Sequence, residues 1–353
     1  MDGLRPASIA ADRHAGPVDC VVTGGTGLVG NNVIRMLVDR GRRVRTLVRA
    51  RSVDRELSGV AVERTVGDVT DPEAVRHAVA GAAVVIHSAA MVHVGWHRLA
   101  EMRRVNVEGT RLVAEAARRE GARLVHVSSV NALGLTGDTT PAHEETPFGN
   151  TVECPYVVTK REAEQAVLDE VARGLDAVII NPVFMLGPWD WKPSSGRMLL
   201  EVAAGRGLLA PPGSQHFGDS RDIAAGILSA TTNGAAGRRY ILGGHHLRFL
   251  DAWTLFAEVA GRRPPRGEAP LRVVRFAGRV GDLIAGCVGR EGPLNSAAAS
   301  MSLLCQHYSS DRAIAELGYS IRPLAETVED AWRWFVDNGY AKPSKSPARR
   351  RAS

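Results

Sequence analysis

Cysteine is scarce in this 353-residue chain. Cys20, Cys154, Cys287 and Cys305 form no CxxC pair and no metal-ligand cluster. That excludes a disulfide framework and a zinc module, and the thiols read as free in a reducing cytoplasm. Cys154 stands beside Tyr156 and is taken as a bystander. Long hydrophobic runs are missing too. No apolar stretch approaches the length that spans a bilayer. The opening MDGLRPASIAADRHAG lacks the apolar core of a secretory signal and reads as a disordered leader over residues 1–17. Internal repeats and low-complexity segments are absent. The stretch after Tyr340, AKPSKSPARRRAS, has no acid. Its Lys342, Lys345, Arg349, Arg350 and Arg351 supply five of the six net positive charges. The body is therefore near neutral, and nucleic acid is not an expected partner. The tail, 339–353, reads as disordered and solvated.

What is there is alternation. DCVVTGG is a β-branched run ending in glycines, and GNNVIRMLVDRG has apolar residues at helical spacing. RVRTLVRA and VERTVGDVTD read as strands, and PEAVRHAVAG as a helix opened by Pro72 and closed by Gly81. AAVVIHSAA is a nearly all-apolar strand, as expected when both sheet faces are covered. The helix RVNVEGTRLVAEAARREG, the strand RLVHVSSV, the long helix PYVVTKREAEQAVLDEVARG and the strand LDAVIINP complete the series. Strand–helix alternation of this regularity predicts a parallel, doubly wound α/β sheet.

The first strand–helix junction reads VTGGTGLVG, a GxxGxxG pattern. Glycines there allow a tight turn and a close approach to a pyrophosphate, which the helix N-terminus then binds. Gly24, Thr26, Gly27, Leu28, Val29 and Gly30 are the candidate contacts. A site for NAD(H) usually carries an acid at the end of the second strand. This chain has TLVRARS, with Arg49 in that place and Arg51 and Ser52 behind it. A guanidinium suits a 2′-phosphate and cannot accept hydrogen bonds from ribose hydroxyls. NADP(H) is therefore favoured, with NAD(H) possible.

Together these residues resemble the extended short-chain dehydrogenase/reductases, the epimerase/dehydratase superfamily. TGGTGLVG, GDVTD, VIHSAA, VNVEGT, HVSSVNALG, PYVVTK, RDIAAGI and YILGG occur in the family's order, and HYSSDRAIAELGY with DAWRWF resembles its C-terminal stretch. The likeness spans roughly residues 18–338. Within the superfamily it is nearest to the dihydroflavonol-4-reductase-like and 3β-hydroxysteroid-dehydrogenase-like branch. The resemblance implies a Rossmann-type sheet with a smaller, mostly helical C-terminal substrate domain. The expected boundaries are 18–182 for the dinucleotide domain, with 219–244 returning to it, and 183–218 plus 245–338 for the substrate domain. It implies Asp68 and Val69 beside the adenine, Ser88, Ala89 and Ala90 along the cofactor, and Asn181, Pro182 and Val183 in the turn after the sixth strand.

It also implies a catalytic set of Ser129, Tyr156, Lys160 and Asn106. Tyr156 and Lys160 stand at i and i+4 and so share one helix face. A phenol with a pKa near 10 is a poor proton carrier at neutral pH, and a nearby ammonium stabilises its phenolate. Ser129, chosen over Ser128 by alignment, would orient the substrate oxygen. Asn106 would support the lysine through water or brace the backbone. His87 is read as a structural strand residue. Family dehydratases commonly carry an acidic pair after the catalytic serine; here Val130 and Asn131 stand there, which disfavours a sugar dehydratase. Three readings stay open: an NADP(H)-dependent reductase of a fairly apolar ketone, a nucleotide-sugar epimerase, and a non-catalytic dinucleotide sensor. The partner is a small molecule, and a homodimer is possible. RFAGRVGDLIAGCVG is amphipathic and is expected to pack against the domain rather than meet a membrane.

Overall fold

The computed structural model describes residues 18–50, 55–137 and 140–342. The leader at 1–17, Arg51, Ser52 and most of the basic tail lie outside them. The chain runs β1 (Val18–Thr23), α1 (Leu28–Asp39), β2 (Val44–Val48), β3 (Glu63–Val66), α2 (Pro72–Val79), β4 (Ala82–His87), α3 (Leu99–Met102), α4 (Gly109–Glu120), β5 (Arg123–Val127), α5 (Pro155–Val171) and β6 (Ala177–Pro182). It continues with β7 (Phe184–Leu186), α6 (Gly196–Ala203), β8 (Ser214–Asp219), α7 (Ser220–Ala230), β9 (Arg239–Leu242), β10 (His245–Arg248), α8 (Phe249–Val259), α9 (Leu271–Val288), α10 (Ser296–Met301), α11 (Asp311–Leu317) and α12 (Leu324–Asp337).

Seven strands form one parallel sheet in the order β3-β2-β1-β4-β5-β6-β9. The order reverses between β1 and β4, where the carboxyl ends of the strands open a crevice for a ligand. Alternate side chains of each strand feed two cores. Val22, Ile86, Val125 and Ile180 pack toward α1 and α7, and Val21, Val85, Leu124 and Ile179 toward α2, α4 and α5. Burial on both faces explains why β4 reads as a continuous apolar run. Local signals set the helix starts. Asp71 accepts from the N–H groups of Glu73 and Ala74 ahead of Pro72, and Pro155 occupies the first turn of α5, where its missing N–H costs nothing.

The C-terminal part is mostly helical, as expected, with one addition. β7, β8 and β10 make a separate three-stranded sheet, β7 parallel and β10 antiparallel to β8. Its strands are three to six residues long, too short for alternation to show in the sequence. Phe217 of β8 enters a third core with Phe249, Phe256, Trp334 and Phe335 from α8 and α12. Arg103–Glu108 is a π-helical segment inside the expected Asn106 helix. Such widened turns are frequent at functional sites.

Candidate functional site

A cleft of about 400 Å3 opens at the carboxyl ends of the strands. Its wall includes Gly24, Thr26 and Gly27 from the β1–α1 turn, Arg49 after β2, Asp68 and Val69 after β3, and Ser88, Ala89 and Ala90 after β4. The turn needs its glycines. Gly24 has φ +74°, and a Cβ there would lie 2.6 Å from the Ala89 nitrogen. The two loops are stitched together: Ser88 Oγ donates to the Thr23 carbonyl at 2.7 Å, and Ala89 N–H to Thr23 Oγ1 at 3.4 Å. No side chain caps α1 at Gly27, so its first turn keeps unpartnered N–H groups suited to an anion. The cradle fits a dinucleotide pyrophosphate. Arg49 is exposed at the cleft's edge, and Asp68 holds the turn by accepting from the N–H and hydroxyl of Thr70 at 3.0 and 2.8 Å.

Two cations on this wall were not anticipated. Arg98, at φ +69°, makes a bidentate pair with Glu101, and Lys192 reaches Glu56 at 2.8 Å. Lys192 follows Trp189 and Trp191, over which Arg35 and Arg55 lie at 3.4 and 4.7 Å from the ring centroids. The segment thus latches onto α1 and the loop after β2. Lys192 lies more than a hundred residues from the glycine motif, and no local spacing signals it.

Beyond the cleft, Ser129 stands beside Tyr156, near enough to pull the phenol's pKa down. Ser129 Oγ accepts from the N–H of Asn131 at 3.2 Å, while Ser128 Oγ, buried, has no partner among the described residues. Tyr156 is buried against Cys154, Val157, Met102, Ala297 and Met301. Burial pushes its pKa up, and Ser129 opposes that rise. The sequence predicts that the lysine lowers it. The Lys160 ammonium instead turns back to donate to the Val127 carbonyl at 3.2 Å. Burial brings the lysine's own pKa down to about 8, and Glu164, one turn along α5, opposes that. Beneath them His87 and His126 stack with ring centroids 5.5 Å apart. Burial and the adjacent Lys160 hold both neutral, His87 down to about 3. His87 bonds Thr23 and Thr110, whereas His126 finds no partner for either nitrogen among the described residues.

Asn106 is a brace. Its Oδ1 accepts from Met91 N–H at 2.7 Å, and its Nδ2 donates to the Met91 carbonyl at 3.0 Å and to Thr159 Oγ1 at 3.2 Å. It ties the strand-four loop to the residue next to Lys160. The side chain of Asn181 is likewise turned into the fold. Expected against the cofactor, its side chain is wholly buried and donates to the Ser129 carbonyl at 2.9 Å and to Glu164 Oε1 at 2.6 Å. Glu164 also accepts from Arg239 Nε at 2.7 Å. Pro182 pairs with Leu242 across β6 and β9, and Val183 packs with Val130, Leu133 and Ile241. This turn shapes the floor beneath Ser129 and contributes no side chain to the cleft wall. The side chains of Leu28 and Val29 likewise lie behind it and are buried, Val29 in the core under α1.

Among the described residues, no group of three or more His, Cys, Asp or Glu side chains is arranged to hold a metal, and no helix is long and apolar enough to cross a membrane.

Residues 20–243 match the family model described as NAD dependent epimerase/dehydratase family. "Sterol demethylase protein B" of Methylococcus capsulatus is 34% identical over 325 residues, 90% of this chain and 98% of that protein. "Putative dihydroflavonol 4-reductase" of Synechocystis sp. is 32% identical over 334 residues, covering 92% and 96%. Among solved structures, gox2253 superposes with a TM-score of 0.81 at 35% identity, covering 92% of this chain and 99% of its own.

Proposed function

The chain belongs to the NAD dependent epimerase/dehydratase family, and from that premise we propose that it is an NADP(H)-dependent oxidoreductase. In this reading it interconverts a ketone and a secondary alcohol on a fairly apolar small molecule. The coarser part, an NAD(P)-dependent oxidoreductase acting on CH–OH groups, follows from the family and from relatives named as reductases and dehydrogenases. One observation carries the finer part: a buried Tyr156 beside Ser129, with Lys160 one turn along α5 and bonded to the Val127 carbonyl two residues before Ser129.

The glycine turn, Asp68 and Ser88–Ala90 would hold the dinucleotide, which supplies or accepts the hydride at the substrate carbon. Tyr156 moves the proton at its Oη to or from the substrate oxygen. Ser129 offers the second hydrogen bond that positions that oxygen. Asn181 and Glu164 hold the Ser129 carbonyl and the floor of the site. A raised Tyr156 pKa suits the reductive direction, in which a neutral phenol is the donor. Lys160 supplies a cation whose field favours the phenolate left behind. Val130 and Asn131 give no carboxylate next to Ser129, so nothing there supports elimination chemistry.

Arg49, exposed at the cleft edge, supports the choice of NADP(H), because a 2′-phosphate adds negative charge. The sterol and flavonol terms in the relatives' names support an apolar substrate. The test is nicotinamide oxidation across a panel of sterol-like and flavanonol ketones alongside nucleotide sugars, with NADPH and NADH in parallel. NADPH consumption in proportion to a ketone is expected, lost in Tyr156→Phe while dinucleotide binding persists. Turnover surviving in Tyr156→Phe refutes the proton role, and equal or better turnover with NADH refutes the cofactor choice.

A further inference from the structure

The helix α9 was expected to pack against the domain, and only its small-residue face does so. Gly278, Gly281 and Ala285 are buried, and a Cβ on Gly278 would sit 2.8 Å from that of Ala299. At about 3.6 residues per turn, Val273, Phe276, Val280, Leu283 and Ile284 fall on the opposite side. All five are exposed, Phe276 by 68% and Leu283 by 71%. Isolated exposed leucines are ordinary, but a contiguous apolar stripe of this kind marks an interaction surface.

Charge decides what meets it. Arg272, Arg275 and Arg279 lie along one flank of the stripe, and none pairs with a carboxylate among the described residues. The acid within the helix, Asp282, is turned inward to accept from Ser296 N–H at 2.9 Å. Glu291 is likewise occupied by the N–H groups of Trp96 and His97 and by His93. A second copy of the chain would bring this arginine row against its own image without a matching acidic row. A surface that is apolar in depth and anionic at its face matches both stripes.

We propose that α9 docks the protein on an anionic phospholipid bilayer, with the Phe276–Leu283 face in the acyl boundary and the arginines at the phosphates. Two neighbouring features fit. Trp96 is half exposed near the α9–α10 packing, anchored by its Nε1–H to Ser296 Oγ at 2.7 Å. Indole rings favour the membrane–water boundary. α10, against which α9 packs, supplies Ala297 and Met301 to the wall around Tyr156. The docked face thus stands one helix away from Tyr156. A substrate dissolved in the same bilayer would need no passage through water, a link that rests on the function proposed above.

The test is co-sedimentation of the full chain, without substrate or cofactor, with phosphatidylcholine vesicles and with vesicles containing phosphatidylglycerol. Binding to the anionic vesicles is expected, weakened by salt. Phe276→Asp with Leu283→Asp should lower the partition by more than about tenfold. Arg272→Glu with Arg279→Glu should do the same without removing an apolar contact, and serves if the first variant misfolds. A chain that stays in the supernatant with anionic vesicles overturns the proposal. So does binding that survives both variants. A self-association in size-exclusion chromatography that Leu283→Asp abolishes also overturns it, because the face then belongs to a second copy. Vesicle binding is read without turnover, so a failed ketone panel and a failed docking surface are separate results.

Discussion

Replacing Lys160 with Met should make the protein more stable at neutral pH while destroying the function proposed for it. Lys160 is buried, and its pKa is brought down to about 8 from an ordinary 10.5 because burial penalises the ammonium. At about 1.4 kcal/mol per pH unit, holding the charged form there costs roughly 3 kcal/mol at pH 7. Methionine has a similar length and no charge. It leaves the Val127 carbonyl without its 3.2 Å donor, which takes back about 1 kcal/mol. The net gain is about 2 kcal/mol, or several degrees in Tm. The pH dependence carries the argument. A depressed native pKa means that the unfolded state binds the extra proton between pH 8 and 10.5. Wild-type stability therefore recovers as pH rises through that window, and the variant's advantage shrinks, vanishes at about pH 9.5 and is reversed by about 1 kcal/mol at about pH 10.5. Scanning calorimetry at several pH values, with no dinucleotide added, reads this directly. A variant less stable than wild type at pH 7, or a difference that stays flat from pH 7 to 10.5, would show that the ammonium is not strained in this site.

Glu164→Gln removes the charge that raises the Lys160 pKa. The alkaline limb of kcat/KM that depends on the ammonium should move to lower pH by roughly one unit, Arg239 already cancelling part of the field; an unmoved limb in a folded variant breaks the coupling. Gly24→Ala puts an L residue at φ +74° and a Cβ 2.6 Å from the Ala89 nitrogen. With strain of about 1–2 kcal/mol from the dihedral alone, NADPH affinity in a fluorescence titration should fall at least about tenfold, and near wild-type affinity would refute the cradle. His87 and His216 are held neutral by burial, at about 3 and about 4. Because the unfolded histidines protonate near 6.5, each should cost up to about 1.4 kcal/mol per pH unit as pH falls from 6.5 toward 4. Urea midpoints across that range check it, and a level curve would mean that these rings are solvated.

Several features were legible because they are local. Glycine spacing at Gly24–Gly30, the two-residue and 3.6-residue periods, and the four-residue step from Tyr156 to Lys160 are statements about near neighbours along the chain. They predict the parallel sheet, the cleft at its carboxyl edge, and a helix face carrying both polar side chains. The family resemblance added Ser129 from the order of the motifs. Asn106 was recognisable as belonging to the site, and only the fold brings Met91 and Thr159 to its amide.

Other features depend on what lies across the fold. The sequence determined that a phosphate-binding turn and a Tyr–Lys helix exist. Tertiary structure decided that Asn181 serves Ser129 and Glu164, that Lys192 closes on the cleft, and that the tyrosine's pKa is pushed up rather than down. It also decided which side of α9 is left to the outside. Hydrophobic periodicity states that a helix has an apolar face, but a close-packed glycine face can win the interior instead. Burial and pairing are sums over neighbours that the chain brings together from a hundred residues away, and no local pattern contains them.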